Sequence, residues 1–348
     1  MNVVLLGRMP AAGEQRLKAM LEPEHAVYTI REPGEAGSHL DAIAKADVIV
    51  GGPITPEISE RADRLRLFQV FRGGIDGLGI EQLPDRVAIT NTYHHEIGVA
   101  EFAVLACLML PRRIIDYDTR LRNGDWSGSV MWGAPPEYLS LGESAIVLVG
   151  AGHIGSAIIT RLEPFGSRIV VVSRNPAKRE AVGIDGGSVD GTNRQVAFVS
   201  YDQFHDVLSR ADIVVLSVRL APNTTNLISA PELEIMKPSS YLINVSRGGV
   251  VDQHALYEAL RSKSIAGAAS DVWYNYPKTI DERCLPSDAP LFELDSMLLS
   301  PNRSSWTNQM LEGRVRDVAE NVVRLAEHRE LINIVRTGES ESSKPENG

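Results

Sequence analysis

The stretch AIVLVGAGHIGSAIITRLEPFGSRIVVVSRN, from Ala145 to Asn175, decides the fold. Ile146 to Val149 form one short apolar run, Ile169 to Val172 form another, and the segment between opens on Gly150, Gly152 and Gly155 at GxGxxG spacing. That order predicts a buried strand, a tight turn, a helix and a second strand, the opening βαβ unit of a dinucleotide-binding domain. Gly150 permits the turn, Gly152 lets backbone approach a pyrophosphate, and Gly155 lets helix and strand pack closely. His153 and Ile154, which begin the helix, are predicted cofactor contacts at the end of it that favours anions.

The alternation continues downstream. YDQFHDVLSR reads as a helix, DIVVLSV as a strand, PELEIM as a helix with Pro231 at its first position, and YLINVS as a strand ending at Arg247, Gly248 and Gly249. DQHALYEALRS, IAGAASDVW and SMLLSP then give helix, strand and last short strand, while residues 181–192, polar and glycine-rich, read as a loop. Upstream, residues 2–90 alternate VVLL, AVYTI, DVIVGG and LFQVF with amphipathic stretches and carry no GxGxxG, which predicts a separate α/β domain with its own parallel sheet. LFQVF runs into Gly73 and Gly74, whose amides either hold an anion or turn the chain; local sequence leaves both open. Ile97 to Leu110, with the charged residues through Arg122, predict one long helix from the first domain to the second, begun near Glu96, stopped by Asn123 and Gly124, and kinked or divided by Pro111. Its apolar content predicts burial on several sides, including a subunit contact. Residues 124–140 read as a loop or arm, 307–329 as an amphipathic helix, and 337–348 as a disordered tail.

A chain of 348 residues, 43% hydrophobic and 23% charged, buries an ordinary core and suggests two domains. A net charge of -10 argues against a nucleic-acid-binding or anionic-membrane surface. Two cysteines, Cys107 and Cys284, supply neither a disulfide framework nor a metal cluster, and no metal is expected. Cys107, within an apolar helical run, reads as core. MNVVLLGRMP lacks the apolar length of a signal peptide and no run approaches a membrane span, so a cytoplasmic protein is expected.

GAGHIG, LAPNTTNLI, MKPSSYLINVSRGGVVD, ALYEAL, IAGAASDVW and LLSP, with GGIDGLG and VAEFAV upstream, follow one another in an order that closely resembles the D-specific 2-hydroxyacid dehydrogenases. The resemblance covers roughly residues 68 to 310. It implies two doubly wound parallel-sheet α/β domains, a Rossmann cofactor domain (99–301) inserted into a flavodoxin-like substrate domain (1–98 and 302–336), in a homodimer held partly by the long helix. It implies hydride transfer between a nicotinamide and a small 2-keto or 2-hydroxy acid. Arg247 would grip the substrate oxygens, because a guanidinium is permanently charged and can form two parallel bonds to a carboxylate or polarise a carbonyl. Gly73, Gly74 and Ile75 match the loop that holds the substrate carboxylate, and Asp271 an acidic residue near the nicotinamide carboxamide, with a strand-end cap as its structural alternative. Ser217, Val218, Thr224, Val245 and Ser246 fall at cofactor-contacting positions.

Two departures from the family pattern bear on mechanism. The family pairs a histidine in an SPH or TPH motif with a glutamate in an EP motif; here the first becomes Asn302 in SPN and the second Tyr276 in DVWYNYP. The double replacement is coherent, since a carboxylate kept without its imidazolium partner is a poorly compensated charge. Asn302 cannot titrate near neutrality, and a tyrosine with a pKa of about 10 exchanges protons poorly. His95 in TYHHEIGVAE, where formate dehydrogenase relatives place a substrate-contacting asparagine, is the candidate replacement donor and substrate contact, with His94 its weaker neighbour and a plain loop histidine its alternative. The acidic residue expected at the end of the second strand is Ser173, followed by Arg174 and Asn175. Loss of the carboxylate and gain of a cation, with Lys178 or Arg179 nearby, point to NADP over NAD, while Arg174 stacked on adenine would suit either. Arg219 stands where the family has proline, beside the nicotinamide side or in solvent, and Tyr93, Trp132 and Trp306 are candidates to shape the substrate pocket. Three readings follow: an NADP-preferring 2-keto acid oxidoreductase with an unusual proton donor, a formate-like hydride transfer needing no general base, and a silent nucleotide-binding sensor or scaffold.

Overall fold

The computed structural model describes residues 1–135, 137–174, 196–279 and 281–338. The chain forms two compact units, Met1–His95 with Trp306–Gly348, and Glu96–Ser305. Among the described residues the strands, in chain order, are β1 Asn2–Leu6, β2 Ala26–Ile30, β3 Val48–Gly51, β4 Leu67–Gln69, β5 Ala88–Thr90, β6 Ala145–Val149, β7 Arg168–Val172, β8 Val196–Val199, β9 Ile213–Leu216, β10 Tyr241–Asn244, β11 Gly267–Ser270, β12 Met297–Leu299 and β13 Ile334–Arg336.

The second unit is built on a seven-stranded sheet in the order β12-β11-β10-β9-β6-β7-β8, every pairing parallel. Strands covered on both faces must be apolar on both faces, and Ile146 to Val149 are all buried, as are all four residues of β9. Each such fully buried Val, Leu or Ile side chain contributes roughly 1.5–3 kcal/mol of transfer free energy. Strand order reverses between β6 and β9, the switch point at which open α/β sheets bind ligands. The predicted long helix is two: Glu96–Met109 and Ile114–Arg122, separated by a turn through Pro111 in which Arg113 takes φ 47°. Of the two outcomes open to a proline here, division prevails, because its ring blocks the preceding turn and it has no N–H to donate. Ala100, Ala103, Ala106 and Cys107 line the buried face of the first helix, which packs in one cluster with Ile158, Ile159 and Leu162 of the helix His153–Leu162. The helix Ala230–Ile235 starts one residue before Pro231, its N-terminus closed by Ser229 and Glu232 bonding reciprocally.

The first unit carries a six-stranded sheet, β13-β5-β4-β3-β1-β2. The order of its first five strands is flavodoxin-like; β13 is antiparallel to β5, so the sheet is not wholly parallel as expected. The reason lies in the helix Asn308–Ala326, capped by Thr307. Its buried Asn321 donates to Gln69 Oε1 at 2.8 Å and accepts from Ile332 N at 2.8 Å, tying the β13 approach to the sheet. Among the described residues no helix is long and apolar enough to cross a membrane.

Candidate active site

The glycine turn after β6 is set by backbone contacts. Gly150 has φ 108°, and a Cβ there would stand 2.8 Å from the Ser217 carbonyl oxygen; a Cβ on Gly155 would stand 2.3 Å from the Gly150 carbonyl oxygen. Neither position can hold a side chain without moving backbone. Gly152 differs: φ is -85°, and a Cβ would meet nothing within 4 Å. The protein's own packing does not demand glycine at 152, whereas a pyrophosphate lying against the N-terminus of the helix His153–Leu162 would. The residues therefore fit a dinucleotide. Ser217 Oγ donates to the Gly150 carbonyl at 3.1 Å, Val218 N donates to Ser246 Oγ at 3.1 Å, and Thr224 Oγ1 accepts from Ala221 N at 2.8 Å. These three side chains or amides brace the loops that would face the cofactor. His153 is exposed and Ile154 half-buried at the helix start, while Val245 is buried. Ser173 is half-buried after β7 and Arg174 is exposed close enough to Tyr201 for its charge to act on that phenol. Asn175, Lys178 and Arg179 lie outside the described residues, as do residues 181–192 and 339–348.

Beyond β10 the chain turns sharply. Asn244 Oδ1 accepts from Ser246 N at 3.0 Å and its Nδ2 donates to the Arg247 carbonyl at 2.9 Å, so one buried amide shapes the turn that presents Arg247. Arg247 is exposed, donates to the Ser246 carbonyl at 2.8 Å, and makes no ion pair among the described residues. A Cβ on Gly248 would lie 2.4 Å from the Trp273 carbonyl oxygen, so glycine here lets the loops after β10 and β11 touch. That contact brings Tyr276 within electrostatic reach of Arg247 and Asp271. The Tyr276 hydroxyl accepts from Trp273 N at 2.9 Å, and desolvation by burial holds its pKa above the usual 10, with Arg247 working the other way. Asp271 is buried, and its carboxylate accepts from Arg303 N at 2.8 Å, Ser304 N at 3.0 Å, and the hydroxyls of Ser300 and Ser304. Four donors fill a carboxylate's acceptor positions. Asp271 thus fixes the 300–304 turn, on which Asn302 sits exposed at φ 54°, a left-handed conformation asparagine adopts readily. Trp273 Nε1 closes the cluster on the Ser300 carbonyl at 2.7 Å. Arg219 is exposed, and Trp132 stands 72% exposed in the 124–140 segment.

In the first unit, buried Arg314 donates to the Phe71 carbonyl at 2.9 Å and the Tyr93 carbonyl at 3.1 Å, pinning the segments after β4 and β5. Asn91 Nδ2 donates to the Gly73 carbonyl at 2.8 Å. A Cβ on Gly73 would come 2.8 Å from His95 Cε1, so the Gly73–Gly74–Ile75 loop and His95 adjoin. His94 points elsewhere: it pairs with Asp317 at 3.0 Å, its ring so close to Gly313 that a Cβ there would overlap it. Asn244, Asn91 and Arg314 are positioning residues that sequence reading missed. Asn244 lies inside MKPSSYLINVSRGGVVD and Asn91 directly before TYHHEIGVAE, but a partner across the fold has no signature in local sequence.

A Rossmann sheet with an open glycine cradle at its switch point, and an exposed arginine without an ion pair among the described residues at the end of β10, point to a dinucleotide-dependent oxidoreductase. Relatives narrow the class. The profile of the D-isomer specific 2-hydroxyacid dehydrogenase NAD-binding domain matches residues 104–303, and the chain belongs to that family. It is 31% identical over 341 residues to a glyoxylate reductase of Thermococcus litoralis, covering 94% of this chain and 95% of that protein. In fold it is similar to the NAD-complexed D-isomer specific 2-hydroxyacid dehydrogenase of Lactobacillus delbrueckii (TM-score 0.75, 19% identity, 96% and 100% of the two chains). A Xanthobacter autotrophicus member in complex with NADPH is similar too (TM-score 0.71, 23% identity, 96% and 97%).

Proposed function

We propose that this chain, with NADP in preference to NAD, interconverts small 2-keto and 2-hydroxy acids, glyoxylate among them, using a proton donor other than the family's histidine. The observation that carries the reading is Arg247, held by Asn244 at the end of β10, exposed and without an ion pair among the described residues. When bound, the nicotinamide supplies or accepts the hydride. Arg247 binds the substrate's oxygens and offsets the charge that builds on the carbonyl oxygen during reduction. The amides of Gly73, Gly74 and Ile75 hold the carboxylate, and His95, adjoining Gly73, gives its proton to the substrate oxygen. Asn302 and Tyr276 occupy the positions of the family's histidine and glutamate; Asn302 hydrogen-bonds substrate, and Tyr276 braces the loop through Trp273. Ser173 and Arg174 favour the 2′-phosphate, supported by the exposed guanidinium at the end of β7. Residues 1–98 and 302–336 act as the substrate domain and 99–301 as the cofactor domain.

The assembly is proposed to be a homodimer. Val130, Met131 and Trp132 are 81%, 76% and 72% exposed, and Ile115, Leu121 and Trp126 are further exposed apolar side chains in the same part of the chain. Exposed apolar surface on this scale marks an interaction site.

A catalytically silent binder is the second reading, favoured by Asn302 and Tyr276, neither of which exchanges a proton readily at neutral pH. Fluorescence titration with NADPH and NADH, followed by absorbance assays with glyoxylate and hydroxypyruvate, separates the two. The expected result is NADPH binding about tenfold tighter, a difference of about 1.4 kcal/mol, and turnover that drops about 10²- to 10⁴-fold in His95→Ala. Full activity in His95→Ala removes the proton donor from the reading. Tight cofactor binding without turnover, unchanged by Asn302→His with Tyr276→Glu, leaves the silent reading.

A further inference from the structure

A cleft of about 350 Å³ lies wholly within the first unit, at the ends of β1, β3 and β4. Strand order runs β2-β1-β3, so the chain reverses direction across the sheet at this point, the topological position where open α/β sheets accept ligands. Glycines keep the mouth clear. Gly7 and Gly51, at the ends of β1 and β3, take φ 106° and 103°, and a Cβ on cleft-lining Gly77 would meet nothing within 4 Å.

The lining has a definite chemistry. Met9, Pro53, Val70 and Leu78 give apolar walls, and the only charged residues among those lining it are Arg8 and Arg72. Two guanidinium groups in a chain of net charge -10 make this a local cationic site. Arg8 Nε bonds Glu32 at 2.5 Å, but the two side chains are 50% and 42% exposed. An ion pair in water is worth little, and this one leaves the terminal guanidinium nitrogens to another anion. The wall made by Phe71 and Arg72 runs directly into Gly73–Gly74–Ile75, the loop proposed above to hold the substrate's carboxylate. A two-carbon acid bound at that loop would leave the cleft to water, about a dozen molecules by volume. A longer acid would reach into it.

We infer that the cleft receives the distal end of a 2-keto dicarboxylic acid, its methylenes against the apolar walls and its second carboxylate on Arg8. This rests on the reading that the chain turns over 2-keto acids, and Arg8 is then the residue that selects among them. A bidentate carboxylate–guanidinium contact supplies the selectivity that apolar burial alone cannot.

The test compares kcat/KM for 2-ketoglutarate and 2-ketovalerate, equal in chain length and differing in the second carboxylate. Wild type should favour the dicarboxylate about 10- to 100-fold, the range for a hydrogen-bonded charge contact. Arg8→Gln should bring the ratio near one, and Arg8→Glu should invert it. A ratio near one in wild type, or one untouched by Arg8→Gln, overturns the inference. Calorimetry with glutarate, which has no carbonyl to reduce, keeps the two readings apart. Glutarate binding that is lost in a normally folded Arg8→Gln protein upholds the cleft even if no 2-keto acid is turned over, in which case the enzymatic reading fails alone. Glyoxylate turnover with no Arg8-dependent glutarate binding leaves the enzyme and removes the cleft.

Discussion

Two regions at the strand ends of one sheet, the turn after β6 and the loops after β11 and β12, are built in opposite ways. The turn at 150–155 is defined by the absence of side chains: Gly150 and Gly155 are pressed against carbonyl oxygens, and Gly152 faces open space. The loops at 271–276 and 300–304 are defined by side chains bound to backbone and to one another: Asp271 accepts from four donors, Trp273 Nε1 donates to the Ser300 carbonyl, and the Tyr276 hydroxyl accepts from Trp273 N. At Gly150 and Gly155 backbone geometry of the first kind admits no side chain without moving backbone. The second kind carries its order in Asp271 and Trp273, so the loops do not depend on which side chain stands at Asn302.

The largest effect expected from this comparison falls on Arg247. Arg247→Ala should lower kcat/KM for 2-keto acid reduction about 10³-fold, as loss of a transition-state charge contact does. NADPH affinity should hold within about threefold, because the glycine cradle is separate and the side chain is exposed. If NADPH affinity falls in step with turnover, Arg247 belongs to the cradle and the two regions are one.

The next largest is a contrast between neighbouring glycines. Gly155→Ala places a methyl 2.3 Å from the Gly150 carbonyl oxygen, forcing helix and turn apart at a cost of about 1–3 kcal/mol. Thermal melting should show a Tm lower by several degrees, with cofactor binding weakened too. Gly152→Ala meets no protein atom and has an ordinary φ of -85°. It should melt as wild type does while binding NADPH at least about tenfold more weakly, since only a bound pyrophosphate competes for that space. Unchanged NADPH affinity in Gly152→Ala would break the cradle interpretation.

What the sequence shows of this molecule divides along the same line. GAGHIG declares its fold because its constraint is local: three glycines within six residues, between two apolar runs, have few other uses. The apolar alternation likewise announces β1, β3, β6 and β9. β13 escaped because INIVR is short and carries two polar residues, and its approach is tied down by Asn321 on the helix before it. Asp271 was legible as a strand-end acid, but not that it holds residues 300–304, some 30 positions away. The cleft at β1, β3 and β4 is invisible in any one segment, since its lining is gathered from three strand ends that only the parallel sheet brings together. Pro111 left two outcomes open, kink or division, and the chain divides there into two helices.

The two cysteines report on the two regions at once. Cys107 lies beneath the cradle, in the cluster with Ile158 and Leu162, and burial pushes its thiol up from 9 to about 12. Cys284 is half-buried on the chain that follows the 271–276 loop. At about pH 8 a thiol-specific disulfide reagent should modify Cys284 promptly, while Cys107 should react only as the protein unfolds, because the thiolate is the nucleophile and burial suppresses it. A group whose folded pKa is raised holds its proton more tightly in the native state. Its contribution to stability is therefore whole below about pH 9 and is lost as pH rises from 9 toward about 12. Cys107→Ala should flatten the decline in Tm across that window and leave the neutral side as the place where its packing loss is read. If both thiols of the native protein react at one rate near pH 8, the packing of Cys107 against the helix that follows the glycine turn opens as readily as a surface loop, and the cradle is not rigid.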